Sequence, residues 1–311
     1  MATILPFIFI FLFLVFILFC AVTIISYVAM NRLVVPNDHM RNGGHRAALL
    51  QEVRPKLLAR DDISEVEFKT FDNLKLNGLF IKRKNAKGNL LLCHGIHSIK
   101  EFMYLFIDIL TDYNILMFDF RAHGKSEGNL ITVGFNEAKD VISAANYLKE
   151  LTKDDENKKL SLVATGFSMG GSSILRAAEQ DPTICDAIIA DSAFRSLNEV
   201  VYDSFHVRAK GLPRFPFFYV TKWVFYFVSK INLDSVSPIK SVKKINKPIL
   251  FIHSADDHVV SNKNSVSMFE ASINNKSRLW IGPNCQHARL HNNYFGVYKN
   301  KVSKFLQDVL N

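Results

Sequence analysis

"SLVATGFSMGGSSILRAAEQ", residues 161–180, passes from an unbroken apolar run through a turn of small residues into a helical pattern. The run is short and continuously apolar, as expected of a strand buried on both faces, and the pattern that follows has helical spacing. Between them stands Gly166-Phe167-Ser168-Met169-Gly170. A G-x-S-x-G turn between a strand and a helix has a steric rationale: the turn is sharp and strained, and small neighbours are needed where the two backbones approach. The turn aims the serine hydroxyl out of the sheet. It also puts the N–H of Met169 at a helix N-terminus, where an oxyanion can be held.

A serine hydroxyl is a poor nucleophile without a base, so Ser168 calls for a histidine oriented by a carboxylate. Both follow in the order Ser, Asp, His. After the apolar run in "ILFIHSADDHVV" (249–260), the turn offers Asp256 and Asp257, with Asp257 the better placed. After "RLWIG", the loop "PNCQHARLH" (283–291) offers His287, with His291 as a competitor. His253 and His258 lie too close to the acid along the chain, and Cys285 is a lone thiol without an activating context. A second oxyanion donor is expected from "LLCHGIHS" (91–98): the N–H of Ile96, with His97 lining the pocket and His94 hydrogen-bonding the loop.

The rest of the chain fits a sheet that carries such a turn. "ISEVEFKTFDNLKLNGLFIKR" (63–83) alternates around Asp72-Asn73 and reads as an antiparallel pair. "NLLLCHG", "YNILMFDFR", "LSLVATGFS", "DAIIADSAF" and "KPILFIHSADD" are apolar runs of buried parallel strands, separated by helical patterns such as 135–152 and 170–180. The interval from Phe194 to Ile249 is too long for a simple crossover, so about 195–246 is an insertion expected to cap the site. Its centre, "LPRFPFFYVTKWVFYFVSK" (212–230), is too short and too basic for a membrane span. Phe215, Phe217, Phe218, Trp223, Phe225 and Phe227 are expected either to wall the pocket, Phe217 and Trp223 foremost, or to face lipid, or simply to pack the cap on the core.

At the start, Ile4 to Met30 carries no charge, long enough to cross a bilayer and too long for a signal-peptide core. Residues 1–30 therefore read as a single-pass transmembrane anchor meeting the bilayer through 4–30, and 31–62 as a basic juxtamembrane connector. Residues 63–311 read as the folded domain. Arg32, Arg41, Arg46, Arg54, Lys56 and Arg60 follow the apolar segment, which by the positive-inside rule puts that domain on the cytoplasmic side. Scattered Cys20, Cys93, Cys185 and Cys285, without disulfide or metal spacing, agree with a reducing compartment, whereas the sequon Asn275-Lys276-Ser277 argues weakly the other way. The anchor inflates the 49% apolar content. The net charge of +9 is spread along the chain with no nucleic-acid motif, so a basic face toward anionic lipid fits better than nucleic acid.

With "CHGIHS", "FDFRAHGKSEG", "GFSMGG", "IHSADDHVV" and "CQHA" in this order, residues 63–310 resemble the α/β-hydrolase superfamily, in its serine-hydrolase branch of monoacylglycerol-lipase-like, serine-aminopeptidase-like and membrane-anchored esterase-like members. The resemblance implies an eight-stranded, mostly parallel sheet with helices on both faces and a cap insertion after strand 6. It implies Asp257 as the acid, and a structural loop from Asp119 to Ser126, so Arg121 and His123 carry no chemistry. Ser254 stands where relatives usually have glycine, and Ser261 where a proline is common. The expectation is a serine hydrolase of carboxylic, lipid or acyl esters, with Ser168, His287 and Asp257 catalytic, Met169 and Ile96 holding the oxyanion, and no metal or organic cofactor. A serine peptidase of the same fold and a non-catalytic membrane-tethered scaffold are the alternatives; an aspartate-nucleophile hydrolase is excluded by Ser168.

Overall fold

Side-chain alternation along short apolar strands feeds two separate cores. In the computed structural model, which describes residues 4–42, 44–153, 160–207 and 213–310, the strands are β1 (Ile63–Lys69), β2 (Lys75–Ile81), β3 (Gly88–Cys93), β4 (Tyr113–Phe118), β5 (Ser161–Phe167), β6 (Ala187–Asp191), β7 (Ile249–Ser254) and β8 (Arg278–Gly282). They form one sheet in the order β1-β2-β4-β3-β5-β6-β7-β8. The pairs β1–β2 and β2–β4 are antiparallel and the others parallel, so the sheet is mixed at one edge only.

The longer helices are α1 (Leu5–Val34), α2 (Ala47–Leu58), α3 (Glu137–Leu151), α4 (Met169–Gln180), α5 (Leu197–Val207), α6 (Arg214–Ser229), α7 (Lys263–Glu270) and α8 (Phe295–Leu310). Leu91, Phe118 and Phe251 point to the face covered by α3 and α4, where they meet Val141 and Ile174. Their strand neighbours Leu90, Leu92 and Ile252 point the other way, onto Val53 and Leu57 of α2 and Val302 and Phe305 of α8. Strand order reverses between β3 and β5, the switch point where open α/β sheets leave a crevice beyond the strand ends. Ser168 follows β5 there.

The first helix is longer than a membrane requires. Thirty residues at about 1.5 Å each make a rod of about 45 Å, against about 30 Å of hydrocarbon. Residues 7–19 expose their large apolar side chains, whereas Val22, Ser26, Met30 and Val34 form a buried stripe at four-residue spacing. That stripe lies where α1 packs against α6 of the insertion. Met30 and Val34 join the same core as Phe218 and Phe225.

Beyond α1, residues 31–62 are more than a polar connector. α2 buries Leu50, Val53 and Leu57. The carbonyl of Val34 accepts the Ile131 N–H at 2.7 Å. The Arg41 guanidinium donates to the carbonyls of Ser126 (2.8 Å) and Gly128 (2.6 Å), and Arg54 pairs with buried Glu101 at 2.7 Å. The basic residues that look like headgroup contacts in sequence thus include two that tie this segment to the sheet.

Candidate active site

Backbone crowding explains the glycines around Ser168. A Cβ on Gly166 would fall 2.5 Å from the carbonyl carbon of Gly170, and one on Gly170 would fall 2.2 Å from the carbonyl oxygen of Cys93. The end of β3, the end of β5 and the start of α4 therefore meet backbone to backbone, closer than any side chain allows. Ser168 itself has φ 52° and ψ −116°, a sparsely populated conformation that costs about 1–3 kcal/mol and persists only where the surroundings impose it. Its N–H is fixed by the Asp191 carbonyl at 2.8 Å. Among the described residues, neither the Met169 nor the Ile96 N–H has a hydrogen-bond acceptor.

Asp257 leaves β7 with its carboxylate buried. Its Oδ1 accepts the N–H groups of Val259 and Val260, each at 2.9 Å, and its Oδ2 accepts His287 Nδ1–H at 2.6 Å. His253 Nε2 stands 3.2 Å from the same oxygen while also facing the Val260 carbonyl at 2.8 Å. Burial acts to raise the Asp257 carboxyl, but the hydrogen bonds from His253 and His287 outweigh it and hold the acid well below the usual carboxylate range. An ionised Asp257 fixes the His287 proton on Nδ1 and leaves the Nε2 lone pair for the cavity. Asp256 takes a different path, exposed and facing exposed His258 at 3.3 Å. His291 lies buried against the rings of Phe106, Phe167 and Tyr298.

A cavity of about 340 Å³ has Ser168, His287, Ile96 and His97 among its lining residues. Phe217 and Trp223, expected in the pocket, are not among its lining residues. The reason is tertiary: α6 packs along α1, Phe217 is buried away from the cavity, Trp223 is 56% exposed, and α1 itself contributes Leu33 to the cavity lining. His97 does line the cavity, and it joins the two parts: its Nε2 donates to the Leu33 carbonyl at 2.9 Å, and its backbone N–H donates to His123 Nε2 at 3.1 Å. His123 and His94 serve the framework. His123 Nδ1 donates to the Arg121 carbonyl, His94 Nδ1 to the Gly95 carbonyl, and His94 Nε2 accepts the Phe120 N–H. Burial pulls His123 down to about 3, keeping it neutral as that network needs. Arg121 is held by Asp140 and Asp72.

Sequence reasoning missed two supports of the histidine loop. Ser254, flagged only as a departure from the usual glycine, accepts the Cys285 N–H and donates to the Cys285 carbonyl, both at 2.8 Å, stapling the acid strand to the loop that carries His287. Ser192 accepts the Ala288 N–H at 3.2 Å and donates to Asp191 at 2.9 Å. Asp191 is fully buried, and burial lifts its carboxyl to about 6, against the opposing pull of Ser192, His253, Tyr298 and His287. Nothing in "ADSAF" marks that carboxylate as different from any other at a strand end.

With this geometry in place, residues 131–311 match the prolyl oligopeptidase family. The chain belongs to that family. It is a serine hydrolase of the α/β-hydrolase fold. It is 28% identical over 241 residues to the uncharacterized protein YqkD of Bacillus subtilis, covering 75% of this chain and 76% of that one. Among solved structures it is similar to an esterase of Pyrococcus furiosus, with a TM-score of 0.66 and 28% identity over 83% of this chain and 94% of that one. A Pyrococcus horikoshii acylaminoacyl peptidase shares the fold, with a TM-score of 0.59 and 16% identity over 80% of this chain and 41% of that one.

Proposed function

We propose that this chain is a membrane-anchored hydrolase of acyl esters that works through Ser168, His287 and Asp257. The observation that carries the reading is the 2.6 Å contact from His287 to a buried, ionised Asp257, with His287 and the strained Ser168 on one cavity. His287 Nε2 takes the proton of Ser168 Oγ as the oxygen attacks the substrate carbonyl. The oxyanion forms against the N–H groups of Met169 and Ile96. His287 then protonates the leaving alcohol, and water repeats the sequence on the acyl-enzyme. Asp257 holds the imidazole tautomer throughout.

Ester rather than peptide substrates are supported by the likeness to the Pyrococcus furiosus esterase, the closer of the two solved structures in sequence. The family name favours peptide bonds, so the test must offer both. Full-length protein in detergent micelles should react with a fluorophosphonate probe, and Ser168→Ala should not. Acyl esters should then outpace matched aminoacyl amides in kcat/KM. Labelling that survives Ser168→Ala would remove the nucleophile, and faster amide turnover would make the protein a peptidase.

Anchoring rests on α1, whose uncharged segment from Ile4 to Met30 is long enough to span about 30 Å of hydrocarbon, with residues 7–19 exposing their apolar side chains and α1 docking on α6. Phe215, Tyr219, Trp223, Tyr226 and Phe227 expose one aromatic face of α6 beside it, suited to the interfacial layer. By the positive-inside rule, the charge bias after α1 supports a catalytic domain on the cytoplasmic side. Release of full-length protein from membranes by carbonate would contradict the span.

A further inference from the structure

The cavity beside Ser168 holds two positive charges for which the hydrolytic mechanism has no use. Arg46, just before α2, and Arg289, two positions after His287, both line it. The Arg46 guanidinium lies 3.7 Å over the Phe102 ring. Among the described residues neither arginine has a carboxylate partner, although Arg54, Arg60, Arg83, Arg121 and Arg195 all do. The two charges also oppose each other: Arg46 is pulled down to about 10, first by burial and then by Arg289. Unpaired, partly buried and mutually repelling guanidinium groups are an unfavourable arrangement for an empty cavity and a favourable one around an anion.

His291 adds a third group. It lines the same cavity at 7% exposure, and its Nδ1 is buried without a hydrogen-bond partner among the described residues. Burial, with Arg289 and Arg46 nearby, pulls this imidazole down to about 3, so it is neutral and carries one N–H to donate. Guanidinium forks match the oxygen spacing of carboxylate and phosphate.

We propose that the substrate of this cavity carries an anionic group, a carboxylate or a phosphate, held by Arg46 and Arg289, with the buried, neutral His291 beside them in the lining. The inference rests on the reading of Ser168 as nucleophile: Arg289 is so near His287 along the chain, and the cavity so limited, that the anion belongs to the molecule being cleaved. It can sit at the far end of the acyl chain or on the leaving group.

The test uses the full-length chain in neutral-detergent micelles and two matched pairs of esters. One pair is p-nitrophenyl pentanoate and mono-p-nitrophenyl glutarate, which differ by a carboxylate on the acyl side. The other is a monoacylglycerol and the corresponding acylglycerol phosphate, which differ by a phosphate on the leaving side. Wild type should favour the anionic member of at least one pair in kcat/KM, and the pair that shows it locates the charge. Arg289→Gln should lower that anionic-to-neutral ratio about tenfold or more, the scale of one charge-assisted hydrogen bond. Arg289→Lys should lower it less. Arg46→Gln should act in the same direction, but it also removes the stacking on Phe102; thermal unfolding therefore checks its fold, and Arg289 carries the decision. Preference for the neutral member of both pairs, or a ratio unmoved by Arg289→Gln, overturns the proposal. So does a loss confined to binding of anionic vesicles, which would make the arginines headgroup contacts. Wild type inert to all four esters and to the fluorophosphonate would instead remove the nucleophile on which the inference stands.

Discussion

The turn at Ser168 and the cap helix α6 are both crowded, but by different atoms. At the turn, backbone meets backbone: a Cβ on Gly166 would fall 2.5 Å from the carbonyl carbon of Gly170, and that constraint lies within one strand, one turn and one helix. Along α6 side chain meets side chain. Phe225 is fully buried while Trp223, two positions earlier, is 56% exposed, and what separates them is where α1 and the sheet happen to lie. Local crowding of the first kind leaves a recognisable pattern in the sequence. Crowding of the second kind spreads over partners far apart in the chain, so residues of the same type can have opposite fates.

Substitutions at the turn and its partners should cost the most activity. Asp257→Asn and Ser168→Ala should each lower kcat on an ester by about 10⁴-fold with the fold retained, while Asp256→Asn should leave it almost unchanged. If Asp256→Asn is instead the inactive variant, the buried contact from Asp257 to His287 is not the working pair.

Removing the partner of α6 should have the next largest effect. A chain beginning at residue 21 keeps Val22, Met30 and Val34 on the cap and should fold and hydrolyse ester in detergent. A chain beginning at residue 35 loses that buried stripe, the Leu33 carbonyl under His97 and the Leu33 wall of the cavity. It should lose about 4–6 kcal/mol from two or three buried apolar side chains, and most of its activity with it. Equal stability of the two truncations in urea unfolding would show that α1 is a tether alone.

Within α6 itself, Phe225→Ala should cost about 3–5 kcal/mol and Trp223→Ala no more than about 0.5 kcal/mol in the same unfolding assay. Trp223→Ala should instead weaken association with vesicles. Similar stability losses for both would mean that the exposed aromatic face is covered.

A smaller, pH-dependent effect belongs to Asp191. The folded state keeps its proton up to about pH 6, whereas an unfolded aspartate releases it near 4. Between those values the native state binds more protons than the unfolded one, so stability falls as pH rises through that window and stays lower above it. Asp191→Asn removes the penalty. Its gain over wild type should therefore be small at pH 4 and reach about 1–3 kcal/mol above pH 7, read from unfolding curves at each pH. A constant difference across that range would mean that burial does not govern this carboxyl.

Loss of the staple at Ser254 should matter least. Ser254→Gly, which restores the residue usual in relatives, removes both hydrogen bonds to Cys285 and should lower kcat a few-fold, by about 1 kcal/mol, with KM nearly unchanged. A rise in KM alone would place Ser254 in substrate binding instead.

The apolar runs of the strands, the strand-turn-helix at Ser168 and the candidates Ser168, Asp257 (with Asp256 beside it) and His287 in succession were legible from residues alone. Each depends on short-range rules: two-fold alternation, continuous apolar runs in strands buried on both faces, and small residues where backbones touch. The long apolar segment at the start was equally plain, because length and absence of charge need no partner to be read. Tertiary structure alone decided which groups share the cavity. Leu33, Arg46 and Arg289 reach it from widely separated parts of the chain, while Phe217 and Trp223, the better candidates by composition, are turned away by the packing of α6 on α1. Ser254 and Asp191 show the same division. A hydroxyl at a strand end and an aspartate beside a serine have no distinctive pattern, and they gain their roles only when the fold sets one against the Cys285 backbone and buries the other beside Tyr298 and Ser192.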